Sequence, residues 1–170
     1  MYKLTEEEIA FAKKRRDAKK LKLIEEYNKP LICLTLNIPG QIRMFELEKE
    51  TFKEGCRRIE EVLVKNNQLV FKEFSPHATG PEAYFIADGD CIEIKKKMIA
   101  LENLEDIGIL FDIDVYDEKG NKVTREELNY LPRKCILCDR SYKECMYKST
   151  HNVEDIVIAI HEIMDKFFND

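Results

Sequence analysis

The stretch Phe111-Asp112-Ile113-Asp114-Val115-Tyr116, entered through Gly108-Ile109-Leu110, alternates residue by residue, a period of two that no helix shares. Successive side chains of a strand point to opposite faces. Ile109, Phe111, Ile113 and Val115 therefore share one face, and Leu110, Asp112, Asp114 and Tyr116 share the other. A chain containing such a strand has to build a sheet with one face buried and one left for charge.

The rest of the chain supplies the partners. Thr5 to Asn28 reads as a helix opened by the capping box Thr5-Glu6-Glu7-Glu8, with a thin apolar stripe of Leu4, Phe11, Ala18 and Leu21. Its run Lys13-Lys14-Arg15-Arg16, with Lys19, Lys20 and Lys22, reads as a solvated face, with docking of an acidic partner as the alternative. Pro30 to Ile38 is continuously apolar, a buried strand ended by Pro39-Gly40. Phe52, Cys56, Ile59 and Leu63 recur at helix spacing, and Gly55 among them suggests close packing on the sheet. Gln68–Phe74 and Glu82–Ala87 read as strands. Asp90 caps a helix bearing Cys91, Ile94, Met98 and Leu101, and Val153–Phe168 forms a last amphipathic helix. The expected class is α+β: a mixed or antiparallel sheet with helices packed mainly on one face. Its central order is β-α-β-β-α-β, flanked by N- and C-terminal helices. One domain is expected over 1–170: a helix at 1–29, the core at 30–117, a hairpin with a Cys-His cluster at 118–152, and a helix at 153–170.

Asp112 and Asp114 stand about 7 Å apart on one strand face, from two rises of about 3.4 Å. Carboxylates so placed repel unless a cation sits between them. Magnesium binds one or two carboxylates together with substrate phosphates, and stabilises a departing diphosphate. Two ordinary aspartates on a solvent-facing strand are the competing possibility. Cys135 and Cys138 form a C-x-x-C, followed by Cys145 and His151. Three thiolates and an imidazole make a tetrahedral zinc set with no open position, hence a structural one. Reduced cysteines or a redox pair are the alternatives. In the loop Ser75–Pro81, Gly80 before Pro81 permits close backbone approach to a ligand. Glu82 could serve as a third carboxylate or position a hydroxyl nucleophile. Arg43, after the first strand, could reach a phosphate.

A net charge of −5 argues against a nucleic-acid binder. Residues 1–30 are dominated by Lys, Arg and Glu, and no apolar run approaches the roughly 20 residues of a membrane span. The expectation is a cytoplasmic protein whose cysteines stay reduced, Cys33, Cys56 and Cys91 being buried small hydrophobes.

Over roughly residues 30–155 the chain resembles the apo-citrate lyase phosphoribosyl-dephospho-CoA transferases, also called citrate lyase holo-acyl-carrier-protein synthases. The similarity is carried by Pro30-Leu31-Ile32 with Pro39-Gly40, Phe52 with Gly55, and Thr79-Gly80-Pro81-Glu82. It continues through Gly108 with Phe111-Asp112-Ile113-Asp114-Val115, Leu131-Pro132-Arg133, and the Cys135–His151 spacing. The resemblance implies transfer of the phosphoribosyl-dephospho-CoA group from triphosphoribosyl-dephospho-CoA to a serine of the acyl carrier (gamma) subunit of citrate lyase, releasing diphosphate. It makes Asp112, Asp114 and Glu82 the expected catalytic residues, with magnesium on the two aspartates. Arg43, Gly80 and Arg133 become the expected substrate contacts. The nucleophile belongs to the partner, so none is needed here. Ile109 stands where the family usually has Arg, and Thr79 where it has Ser. A non-enzymatic zinc-binding interaction module is the competing function, as is the same chemistry on another acceptor, such as a malonate decarboxylase carrier subunit.

Overall fold

The computed structural model describes residues 4–39, 46–104 and 106–169. In chain order the elements are α1 (Glu6–Tyr27), β1 (Leu31–Leu36), α2 (Glu48–Lys65), β2 (Leu69–Ser75), β3 (Glu82–Ala87) and α3 (Cys91–Glu102). There follow β4 (Phe111–Tyr116), β5 (Lys122–Val123), α4 (Tyr142–Lys148) and α5 (Val153–Asn169). The sheet runs β2-β3-β1-β4-β5 with every neighbouring pair antiparallel, which resolves the mixed-or-antiparallel alternative. The expected α+β class and element order hold. Among the described residues no helix is long and apolar enough to cross a membrane.

One face of the sheet is an apolar layer. Ile32 and Leu34 of β1, Ala83 and Phe85 of β3, and Phe111, Ile113 and Val115 of β4 are fully buried under Ile59 and Leu63 of α2, Ile94 and Met98 of α3, and Ile160 of α5. Burying each large side chain contributes roughly 1.5–3 kcal/mol relative to exposure. Gly55 lets α2 approach: a Cβ there would stand 2.9 Å from Leu34 Cδ2 and 3.1 Å from the Phe111 ring. The close packing expected at this glycine is therefore present.

The opposite face is crossed by α1. Its capping box forms, with Thr5 and Glu8 exchanging side-chain and backbone bonds, and Asn28 ends it in the left-handed region. The expected apolar stripe holds only in part. Leu4 is buried, but Phe11 and Leu21 are 69% and 59% exposed, and Ala12, Leu23 and Ile24 are the buried helix positions. The reason is the surface beneath: this side of the sheet is apolar near Leu31 and Ile86 but charged further along, so cations rather than large hydrophobes complete the contact.

Two further differences concern β4. It begins at Phe111, because Ile107–Leu110 forms a 3-10 turn capped by the Asp106 carboxylate, which accepts from the Gly108 N–H at 2.8 Å. And β5 pairs only with Val115 and Tyr116. The backbone of Ile113 thus faces no strand on that side. Glu102 accepts its N–H at 2.7 Å, and the buried Lys95 ammonium donates to its carbonyl at 2.8 Å. Two charged side chains of α3 complete the ladder that β5 is too short to make.

Candidate active site

The register of the sheet assembles the site. Thr35 pairs with Asp112 and Cys33 with Asp114, while Cys33 pairs on its other side with Tyr84. Asp112, Asp114, Thr35, Glu82 and Tyr84 therefore share the face turned away from the apolar layer. They floor a cleft of about 340 Å³ whose other wall is α1, through Ile9, Lys13, Arg16, Asp17 and Lys20. A second lobe of about 210 Å³ adjoins it, lined by Thr79, Gly80, Pro81 and Tyr142 and sharing Arg16, Thr35, Glu82 and Asp112. Gly80 adopts φ +112°, a conformation that a side chain would strain.

Each carboxylate has its own surroundings. Asp112 receives the Arg133 guanidinium at 2.9 Å. Loss of water raises its pKa, and the negative charges of Asp114 and Glu102 add to the rise against the opposing pull of Arg133. Asp114 pairs with Lys122 Nζ at 2.8 Å and accepts the Tyr116 hydroxyl at 3.5 Å. Glu82 is buried and accepts from Arg15 Nη2 at 2.7 Å and from the Tyr84 hydroxyl at 2.8 Å, with Arg16 Nε 3.4 Å away. Burial, then the adjacent Glu82, pushes the Tyr84 phenol upward, so it remains a donor. Burial likewise pushes the Cys33 thiol, on the same floor, upward and away from the thiolate form.

Behind Asp112 stands an unexpected hub. Glu102, 6% exposed, accepts from Arg125 at 2.5 Å, from Arg133 at 2.6 Å and from the Ile113 N–H. One carboxylate thereby ties β4, the loop after β5 and the approach to the cysteine cluster together.

The cluster itself is assembled. The ligand atoms of Cys135, Cys138, Cys145 and His151 all lie within 4.8 Å of one another. A tetrahedron with bonds of about 2.3 Å has edges of about 3.8 Å, so this donor set fits a single zinc ion. The Arg140 backbone N–H, then the His151 ring, lowers the Cys138 thiol to about 7, which favours the ligating thiolate. The short helix α4, absent from the sequence expectations, presents Cys145 and is capped by Ser141. Backbone bonds from Tyr142 N to Arg133 O and from Cys135 N to Arg140 O, both 2.8 Å, link the cluster to the arginine on Asp112.

Of the residues picked out from the sequence, Asp112, Asp114, Glu82 and Gly80 converge on the cleft, and Arg133 pairs with Asp112 while lining neither lobe. Arg43 lies outside the described residues. Sequence reading missed Glu102 and Lys122, and it gave Arg15, Arg16 and Lys20 to solvent or a partner. A signal for the last group existed. Ile9, Lys13, Arg16 and Lys20 step by four, three and four, one face of a helix.

The chain as a whole is similar to known proteins. The family profile described as apo-citrate lyase phosphoribosyl-dephospho-CoA transferase matches residues 5–167. A probable apo-citrate lyase phosphoribosyl-dephospho-CoA transferase of Streptococcus pyogenes serotype M5 is 32% identical over 162 residues, covering 93% of this chain and 84% of that protein. The apo-citrate lyase phosphoribosyl-dephospho-CoA transferase of Citrobacter koseri is 27% identical over 158 residues, 92% of this chain and 86% of its own. Protein CitXG of Haemophilus influenzae is 30% identical over 162 residues. These are 95% of this chain but span only 35% of that protein.

Proposed function

Because the chain belongs to the apo-citrate lyase phosphoribosyl-dephospho-CoA transferase family, we propose that it moves the phosphoribosyl-dephospho-CoA group from triphosphoribosyl-dephospho-CoA to a serine of the citrate lyase acyl carrier (gamma) subunit. Diphosphate is the leaving group. The observation that carries this reading is the cleft: two carboxylates on alternate positions of β4 facing a wall of cations. Asp112 and Asp114 are the residues that would hold magnesium. Hard oxygen donors, one with a pKa raised by loss of water and then by its carboxylate neighbours, suit that ion. Bound there, magnesium supplies neutralising charge to the substrate phosphates and the departing diphosphate.

The chain's own residues do the rest. Arg133, held by Glu102, keeps a fixed positive charge beside Asp112 and orients its carboxylate. Gly80 and its neighbours leave backbone space where a substrate group can enter the second lobe. Glu82, with its oxygens committed to Arg15 and Tyr84, acts as a positioning residue. The acceptor hydroxyl arrives with the carrier, so the cleft needs no nucleophile of its own. Arg43 is retained as a further phosphate contact. Cys135, Cys138, Cys145 and His151 would hold zinc in a structural role, keeping Arg133 in place.

The test is incubation with apo acyl carrier subunit, triphosphoribosyl-dephospho-CoA and magnesium, read by intact mass of the carrier. A mass gain at a serine equal to the phosphoribosyl-dephospho-CoA group is expected. An unchanged carrier, with precursor and carrier both shown competent, overturns the assignment.

A further inference from the structure

We infer that the inward face of α1 is the binding wall for a linear phosphate chain, with Lys13, Arg16 and Lys20 as its contacts and Glu82 as the group beside which Arg16 is held. The inference rests on the transferase reading for the identity of the natural ligand, but its chemistry stands on four observations.

The first is geometric. Lys13, Arg16 and Lys20 line the cleft from a single helical stripe, and Arg16 also lines the second lobe. Seven residues of helix span about 10 Å, the reach of a short phosphate chain rather than of one phosphate.

The second is an unsatisfied cation. Arg15 has a direct acceptor in Glu82 and a longer contact to Thr79 at 3.4 Å. Among the described residues Arg16 has no such acceptor: its Nε, like that of Arg15, is buried without a hydrogen bond, it stands 3.4 Å from Glu82, and its side chain remains 36% exposed. A guanidinium held beside its counter-charge but not bonded to it retains donors for a ligand.

The third is rigidity. Lys20 is fixed by Asp17 at 2.8 Å and by the Tyr116 hydroxyl at 3.0 Å, and its ammonium stands 4.6 Å from the centre of the Tyr116 ring. Lys19 pins the same helix to Glu73 of β2 at 2.6 Å. The wall is thus anchored to three strands before any ligand arrives, which limits the ordering cost of binding.

The fourth is the acidic floor. Asp112 and Asp114 would repel a bare polyanion, so the phosphate chain has to enter with a divalent cation between it and the floor. The wall and floor together select a metal-complexed phosphate chain over a free anion of equal charge.

Titration calorimetry with inorganic triphosphate, without acceptor or nucleotide, tests this. Wild-type protein with magnesium should bind triphosphate, and omission of magnesium should weaken binding at least tenfold. Arg16→Gln should weaken it by about tenfold, as expected for a lost charge-assisted contact, with partial recovery in Arg16→Lys. Lys13→Gln, at an exposed position with little part in folding, should weaken it several-fold. Lys22→Gln, on the outward face, should leave it unchanged. No wild-type binding at millimolar magnesium triphosphate overturns the inference, as do Arg16→Gln and Lys13→Gln affinities within twofold of wild type. An equal loss in Lys22→Gln overturns it as well, by reducing the effect to net charge. The two readings can fail separately. Arg16-dependent triphosphate binding without carrier modification refutes the acceptor assignment and keeps the wall. Normal transfer by Arg16→Gln at unchanged KM does the reverse.

Discussion

The two faces of this sheet are built from the same strands and have opposite characters. Ile32, Leu34, Phe85, Phe111 and Ile113 are closed beneath three helices, whereas Asp112, Asp114 and Glu82 lie on the other face of the same strands, under α1. Alternation along each strand lets one set of backbone hydrogen bonds serve both. The apolar face contributes the free energy of folding. The other face concentrates charge in a cleft and leaves a carboxylate with a raised pKa, a cost that the apolar side offsets. A site of this kind is held in place by its neighbours and contributes little to holding them.

Perturbing one residue on each face tests that division. The largest effects should be opposite in kind. Phe85→Ala should lose about 3–5 kcal/mol of stability in denaturant titrations. Asp112→Asn should lower transfer by roughly 10³-fold, about 4 kcal/mol of barrier, without lowering the thermal midpoint. A destabilised Asp112→Asn would break the comparison.

Glu102 joins the two faces, since it caps the β4 ladder and holds Arg133 on Asp112. Glu102→Ala should therefore cost both ways. About 3 kcal/mol of stability should go with the stranding of two arginines, and activity measured at temperatures where the variant stays folded should also fall. Loss of only one property would assign Glu102 to one face.

The cysteine–histidine cluster is expected to act on the site from outside. Protein purified without chelator should carry about one zinc per chain, and Cys138→Ser, which removes one of the four donors, should lower zinc content and, with the loss of the support for Arg133, transfer as well. A zinc content below about a tenth of an equivalent would remove zinc from this account.

Gly55→Ala pushes a methyl group towards Leu34 and Phe111 from the apolar side. Overpacking of about 1–3 kcal/mol is partly offset by the better helix propensity of alanine, leaving a loss of about 1 kcal/mol and normal KM. A changed KM would show that packing on one face reaches the other.

The mildest probe is pH. Asp112 has a folded pKa above its ordinary value, so its protonated form is the one that folding favours. The stability linked to it is fully present below the ordinary carboxylate pKa of about 3.9 and is lost as pH rises through the raised value. Activity runs the other way, since the ionised carboxylate is the one that binds a cation. Without magnesium the Asp112 carboxyl, followed by NMR against Asp112→Asn, should titrate above about 3.9, and titration at the ordinary value would contradict the environment described for it.

Much of this was legible in the chain itself, because it is local or periodic. The capping box at Thr5, the helix face through Phe52, Cys56, Ile59 and Leu63, the alternation of β4 and the Cys135–His151 spacing each depend on residues a few positions apart. Those features determined the element order, the acidic face of β4 and the composition of the cysteine–histidine cluster. Tertiary structure alone decided what faces that acidic strand. Arg15 meets Glu82 across 67 positions, Arg133 meets Glu102 across 31, and Glu102 meets Ile113 from the end of a different element. Ion pairs between elements have no sequence period, and a lysine–arginine run on a helix looks the same whether it faces water or a cleft. Only the docking of α1 on the charged side of the sheet distinguishes the two, and that docking places its cations opposite Asp112 and Asp114.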